Sequence, residues 1–165
     1  MGNIHTAYLL TGSNLGDRFE KMTNAKERIH ELAGTVLAFS NYYETAAWGK
    51  EDQPDFLNQA IKISTSLPPL DLLHILLEIE QSLGRKRDEK WDARTIDIDI
   101  LMYDDIVLDS SELSIPHKHM HERNFTLIPL MEIAATIEHP VLKKSIETLY
   151  WESKDPLDVY QIDSL

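Results

Sequence analysis

The chain has 165 residues, of which 42% are hydrophobic, and a formal net charge of −12 at pH 7. This length and composition predict one compact domain with a hydrophobic core, covering residues 1–165. The acidic balance argues against nucleic-acid binding, which needs a basic face, and no apolar run is long enough to cross a membrane. Cysteine is absent, so disulfides and thiolate metal sites are excluded and a cytoplasmic location is expected.

Apolar periodicity predicts alternating strands and helices in the first half of the chain. Glycines at positions 12 and 16 predict a tight turn between the first strand and the first helix. The predicted elements are strands at Ile4–Leu10, Val36–Thr45 and Phe56–Thr65, a helix from Arg18 to Leu32, and a helix opened by Pro68-Pro69 and ended by Gly84.

The second half opens with a strand at Thr95–Leu101, and Tyr103–Leu108 predicts a hairpin with a tight Asp-Asp turn. Short helical turns are predicted at Leu127–Ala135 and Val141–Tyr150, and the acidic tail beyond Trp151 is expected to be peripheral. The order strand, helix, strand, strand, helix, strand is typical of a two-layer α+β domain of the ferredoxin-like kind. Its sheet should be mostly antiparallel, with helices packed on it.

Two aspartates stand two residues apart on the strand that begins at Thr95. Alternation places Asp97 and Asp99 on one face, roughly 7 Å apart along the strand by twice the rise per residue. That separation suits two hard cations bridged by polyphosphate oxygens. A half-exposed strand with one wet face is the alternative, but aspartate is disfavoured in strands and an uncompensated pair would repel, so the metal site is preferred.

The segment just upstream, from Arg85 to Arg94, contains five Lys or Arg residues and no apolar periodicity. In an acidic chain, such a cluster favours a small anionic ligand in one basic pocket over a long polyanion. A solvated basic loop is the simpler alternative.

Three alternating histidines, His117, His119 and His121, leave a rival interpretation open. Histidines on one strand face could chelate zinc, which would indicate a metal hydrolase or a zinc-binding module. Pro116 and the charged neighbours favour a loop instead, and no His-Glu-x-x-His helix accompanies them. A catalytically silent binding protein with the same fold is a second rival.

Four pieces of sequence carry a resemblance when taken in order. They are Gly12-Ser13-Asn14-Leu15-Gly16; Tyr43-Glu44-Thr45 with Gln53-Pro54-Asp55-Phe56-Leu57-Asn58; Gly84-Arg85 through Arg94-Thr95-Ile96-Asp97-Ile98-Asp99; and Pro116-His117 with Arg123 and Phe125. Over nearly the whole chain this arrangement resembles the 6-hydroxymethyl-7,8-dihydropterin pyrophosphokinase family of folate biosynthesis. The resemblance implies an enzyme that uses two Mg²⁺ ions and ATP to transfer pyrophosphate to a hydroxymethyl pterin. A monomer is expected.

The resemblance also implies roles for individual positions. Asp97 and Asp99 match the family's magnesium ligands, and Arg85 and Arg94 match the arginines that hold the polyphosphate during transfer. The residues that match the nucleotide site are Glu80, Arg87, Trp91, Ile100, His117, Lys118 and Arg123. Those that match the pterin site are Thr45, Trp48, Phe56, Asn58 and Phe125.

Overall fold

The computed structural model describes residues 3–45, 55–84 and 96–163. The strands are β1 (His5–Ser13), β2 (Thr35–Phe39), β3 (Tyr42–Thr45), β4 (Phe56–Thr65), β5 (Asp97–Tyr103), β6 (Leu108–Asp109), β7 (Ser114–Ile115) and β8 (Val159–Ile162). The helices are α1 (Arg18–Leu32), α2 (Pro69–Ser82), α3 (Asn124–Ala134) and α4 (Ile146–Glu152), with a 3-10 helix at Met120–Glu122. None of the helices in these ranges is long and apolar enough to span a membrane.

The main sheet confirms the ferredoxin-like prediction. Its strands follow the order β5-β1-β4-β3-β8, with β2 also paired to β4, and the pairs are antiparallel. Helix α1 begins and ends where the sequence predicts. The Asp17 side chain caps its first turn by accepting the Glu20 backbone N–H at 3.0 Å. Helix α2 begins at Pro69, as expected for a proline in the first turn.

Helices cover both faces of the sheet, so the prediction of two layers is wrong. Ala7 and Leu9 pack with α1 and α2, whereas Tyr8 and Leu10 pack with α3 and α4. Strand β1 is therefore buried on both sides from Ala7 to Ser13. The glycine at position 12 lies within this strand, not in the predicted turn.

The single strand predicted at Val36–Thr45 is divided at Ser40 into β2 and β3, which pair with the same edge of β4. The Ser40 hydroxyl accepts the Ala60 backbone N–H at 2.9 Å, and the Ser40 carbonyl accepts the Gln59 side-chain amide at 2.8 Å. A side chain thus replaces the backbone acceptor where the ladder is interrupted, although the buried Oε1 of Gln59 accepts no hydrogen bond from the residues that the structure describes.

Three predictions about the second half of the chain need correction. The turn at Asp104-Asp105 forms, but β6 pairs with β7 and does not return along β5. The acidic tail is not peripheral, because β8 adds a strand to the main sheet beside β3. The helical turn predicted at Val141–Tyr150 begins only at Ile146, where the Ser145 hydroxyl caps α4.

Candidate active site

The register of the sheet places a row of four residues across one face near the end of β1. Gly12 of β1 lies directly opposite Asp97 of β5 on one side and Asn58 of β4 on the other. Asn58 in turn lies opposite Tyr43 of β3. Directly opposed residues of antiparallel strands point to the same face, so this row lies on the face that α3 and α4 cover.

Neighbouring rows bring further predicted site residues to the same face. Asp99 lies opposite Leu10, two residues from Gly12 along β1. Thr45 lies opposite Phe56, two residues beyond Asn58 along β4. Residues of the two predicted subsites, on strands far apart in sequence, therefore share one surface.

Gly12 allows the Asn58 side chain to lie across β1. The Asn58 amide nitrogen donates to the Thr11 carbonyl at 3.2 Å, and a Cβ at position 12 would lie only 2.6 Å from that nitrogen. The side chain is almost fully buried, and Oδ1 accepts no hydrogen bond from the part of the chain that the structure describes. A buried acceptor in this condition is suited to a ligand that brings its own donor.

The two aspartates stand at the accessible end of β5. Asp97 is half-buried and Asp99 is exposed, whereas Ile96, Ile98 and Ile100 between and beside them are buried. Carboxylate oxygens are the ligands that Mg²⁺ prefers, and it takes its remaining ligands from phosphate and water. The donor set and its accessibility therefore fit the magnesium ions that the sequence predicts.

Glu80 lies on α2, and Ile100 lies on β5 itself, the strand that carries the two aspartates. Glu80 is 3% exposed, and its Oε2 accepts the Ile98 backbone N–H at 2.7 Å. The Ile100 side chain packs in the core with α1 and α2, on the face opposite to the aspartates. Both residues therefore adjoin the aspartate pair through the backbone of β5.

His117 is a neutral hydrogen-bond donor. Burial, the nearby Arg123 guanidinium and His119 together lower the pKa of His117 to about 4. Its Nδ1 accepts the His119 backbone N–H at 3.2 Å, so the proton of the neutral ring is on Nε2. The backbone N–H of His117 donates to the Leu101 carbonyl at 2.9 Å, which holds this residue against β5.

The three alternating histidines do not converge. His119 and His121 contact different oxygens of the exposed Glu122, at 3.3 and 3.5 Å, and the His121 ring also lies beside His139, with centroids 6.1 Å apart. Among residues 3–45, 55–84 and 96–163, no group of three or more His, Asp or Glu side chains is arranged to hold a metal ion. The zinc interpretation therefore gains no support from this segment.

Residues 8–135 match the family model described as 7,8-dihydro-6-hydroxymethylpterin-pyrophosphokinase (HPPK). The chain belongs to this family. A 2-amino-4-hydroxy-6-hydroxymethyldihydropteridine pyrophosphokinase of Bacillus subtilis is 39% identical over 164 residues, which cover 97% of each chain. A protein of the same name from Aquifex aeolicus is 41% identical over 142 residues, covering 86% of this chain and 88% of the relative.

A solved structure of wild-type Plasmodium falciparum HPPK-DHPS has the same fold, with a TM-score of 0.74 and 18% sequence identity. The superposition covers 92% of this chain but only 43% of the Plasmodium chain. At this identity the likeness concerns the fold alone.

Several residues that the HPPK resemblance assigns lie outside the described ranges, namely Trp48, Arg85, Arg87, Trp91 and Arg94. Of the others, Arg123 and Phe125 are neighbours at the start of α3, where the guanidinium carbon lies 5.6 Å from the ring centroid. Lys118 is exposed beside His117. The roles of all these residues stay predictions.

Two features of this candidate site differ from the sequence prediction or are not indicated by it. The first is Gly12, which the sequence predicts in a turn, although Tyr8, Leu10 and Gly12 continue one alternating face of β1 and indicate a longer strand. The second is Glu132 of α3, which accepts hydrogen bonds from the Tyr43 hydroxyl and, at 2.9 Å, from the Asn41 side chain. No local pattern indicates that contact, since the partners are about ninety residues apart in sequence.

Proposed function

We propose that this protein transfers the pyrophosphoryl group of ATP to the hydroxymethyl group of 6-hydroxymethyl-7,8-dihydropterin, releasing AMP, in folate biosynthesis. The observation that carries the proposal is the row in which Asp97 and Asn58 share one face on either side of Gly12. The relatives named for this activity, at 39% and 41% identity over most of the chain, support it. In this proposal the protein is a monomeric, single-domain cytoplasmic enzyme, and its lack of cysteine suits a reducing compartment.

Asp97 and Asp99 are the residues that would hold two Mg²⁺ ions. When bound, those ions neutralise the triphosphate charge and template an in-line displacement at phosphorus. Arg85 and Arg94 are assigned to the polyphosphate because the planar guanidinium matches pairs of phosphate oxygens. His117, neutral and with its proton on Nε2, is a donor that remains available at physiological pH.

The pterin is assigned to the neighbouring part of the same face. Asn58 offers a buried amide oxygen that accepts no hydrogen bond from the described residues, which suits the N–H edge of a pterin ring. Phe56 and Phe125 are both half-buried and could stack on the two sides of a flat heterocycle. Thr45 is buried and lies opposite Phe56, which places it beside the residues assigned to the pterin.

In the proposed reaction, the pterin hydroxyl oxygen attacks the β-phosphorus of ATP, and the bond from that phosphorus to the α–β bridging oxygen breaks. AMP leaves with the bridging oxygen, and the hydroxyl proton is lost to solvent. No covalent intermediate with the protein is required, because alignment and charge neutralisation account for catalysis of this kind.

Phosphorus NMR of the protein with Mg²⁺, ATP and 6-hydroxymethyl-7,8-dihydropterin tests the proposal. The expected products are AMP and a pterin diphosphate in equal amounts, with no turnover when the pterin is omitted. ADP and a pterin monophosphate would indicate an ordinary kinase. Unchanged ATP would indicate a binding protein, and zinc retained in stoichiometric amount by the purified protein would revive the zinc interpretation.

A further inference from the structure

Glu80 is a charged side chain at a buried position of α2. It follows Leu72, Leu76 and Ile79 on the helix face that packs into the core, and it is 3% exposed. Removing a carboxylate from water is unfavourable unless hydrogen-bond donors replace the water. Such a residue is therefore expected to perform a task that an apolar side chain could not.

One partner of this carboxylate is the backbone of β5. Oε2 of Glu80 accepts the Ile98 backbone N–H at 2.7 Å, a short charge-assisted hydrogen bond. Ile98 is the residue between Asp97 and Asp99, and it is itself 4% exposed. The bond is thus made at the midpoint of the aspartate pair.

Strand β5 lies at the edge of the main sheet, with β1 as its neighbour on one side. On the other side, the Ile98 backbone N–H donates to the Glu80 carboxylate, and the Leu101 carbonyl accepts the His117 backbone N–H. A buried edge N–H needs a partner, and here a side chain from α2 provides what a further strand would provide elsewhere.

We propose that Glu80 is a positioning residue, whose carboxylate fixes the backbone of β5 and thereby sets the spacing and direction of the Asp97 and Asp99 side chains. The inference rests on the proposed function, because it concerns the two residues assigned to magnesium. Aspartate has a short side chain with two rotatable bonds, so it cannot compensate for a displaced backbone. Metal–oxygen distances tolerate deviations of only about 0.2 Å.

This role differs from the direct contact with nucleotide that the family resemblance implies for Glu80. A positioning role requires only that the side chain at position 80 carries an acceptor oxygen, and its loss lowers the affinity of the aspartates for metal. A nucleotide ligand acts on the affinity for nucleotide whether or not metal is present. The two roles therefore respond differently to a neutral acceptor and to the removal of metal.

Three variants separate these roles. Glu80→Leu removes the acceptor, Glu80→Gln retains an acceptor oxygen without the charge, and Glu78→Leu removes an exposed carboxylate from the same helix as a matched control. Amide hydrogen exchange at Ile98, followed by NMR without ligand, reports the backbone bond. Exchange at Leu9 and Ile61, in the interior of the sheet, reports any general loss of stability.

Mn²⁺ binding, followed by electron paramagnetic resonance in the presence of a non-hydrolysable ATP analogue, reports the aspartates. In Glu80→Leu we expect faster exchange at Ile98 and a Mn²⁺ affinity lowered about 10-fold or more, the usual effect of losing a residue that orients metal ligands. Exchange at Leu9 and Ile61, and the affinity for metal-free adenosine, should change little. Glu80→Gln should protect Ile98 and retain Mn²⁺ binding, and Glu78→Leu should resemble the wild type in every measurement.

Unchanged protection of Ile98 in Glu80→Leu would overturn the proposal. So would an equal loss of affinity for metal-free adenosine, which would identify Glu80 as a nucleotide ligand. Loss of Mn²⁺ binding in Glu80→Gln with Ile98 still protected would show that the charge acts and the backbone bond does not. If the wild-type protein binds Mn²⁺ with the analogue but forms no AMP, the proposed function is wrong and the positioning role is retained. If the wild-type protein does not bind Mn²⁺, both are wrong.

Discussion

Replacing Gly12 with alanine tests whether the Asn58 amide holds the pterin. The added Cβ would lie 2.6 Å from the Asn58 amide nitrogen and 3.6 Å from the Leu57 carbonyl oxygen. Carbon and nitrogen atoms do not approach so closely, and the amide is easier to move than the backbone. The Asn58 side chain must therefore turn and break its 3.2 Å hydrogen bond to the Thr11 carbonyl.

The magnitude follows from the burial of that amide. A buried polar group left without its partner costs about 1–3 kcal/mol, and for a chain of this size each kcal/mol lowers Tm by about 2–4 °C. Misplacing the amide should also cost the pterin its hydrogen bonds to Asn58. A loss of about 1–3 kcal/mol of binding free energy corresponds to a Kd raised about 5- to 150-fold.

Isothermal titration with pterin, in the presence of Mg²⁺ and a non-hydrolysable ATP analogue, measures this loss. Gly16→Ala is the matched control, because no atom of the described residues lies within 4 Å of its added Cβ, while its φ of +70° makes alanine strained. That strain costs about 1–2 kcal/mol, so both variants should melt earlier than the wild type. Only Gly12→Ala should lose pterin affinity, and equal pterin Kd values in the two variants would refute the reasoning.

Three further outcomes are expected. Asp97→Asn and Asp99→Asn should each lose most turnover in a magnesium titration, because an amide does not supply the anionic oxygen that Mg²⁺ prefers. Near-normal turnover at limiting magnesium would exclude that residue as a ligand. The pKa of His117 is about 4 in the native protein and about 6.5 in the unfolded chain, so the unfolded state binds the extra proton and stability should fall as pH is lowered from 6.5 to 4. His117→Gln should flatten this slope in urea denaturation at stepped pH, and an unaltered slope would contradict the assignment. A chain lacking residues 158–165 should unfold at lower urea concentration, since β8 covers the edge of β3, and an unchanged midpoint would show that this strand contributes nothing.

Local pattern determined much of this protein. Capping by Asp17 and the spacing of Met22, Ala25 and Ile29 define α1 without help from the rest of the chain. Alternation around Asp97 and Asp99 places both carboxylates on one face, because the period of a strand is a property of its own backbone. The order of these elements is enough to predict the ferredoxin-like sheet.

Only the tertiary structure decided what lies beside those elements. The row that joins Asp97, Gly12 and Asn58 depends on the register of three strands, and register is set by contacts between distant segments. The same holds for the Glu80 bond to Ile98 and for β8, which lies within an acidic tail and forms a strand because it pairs with the edge of β3. Periodicity shows which face of its own strand a side chain occupies. Its neighbours from other strands on that face are determined by the fold of the whole chain.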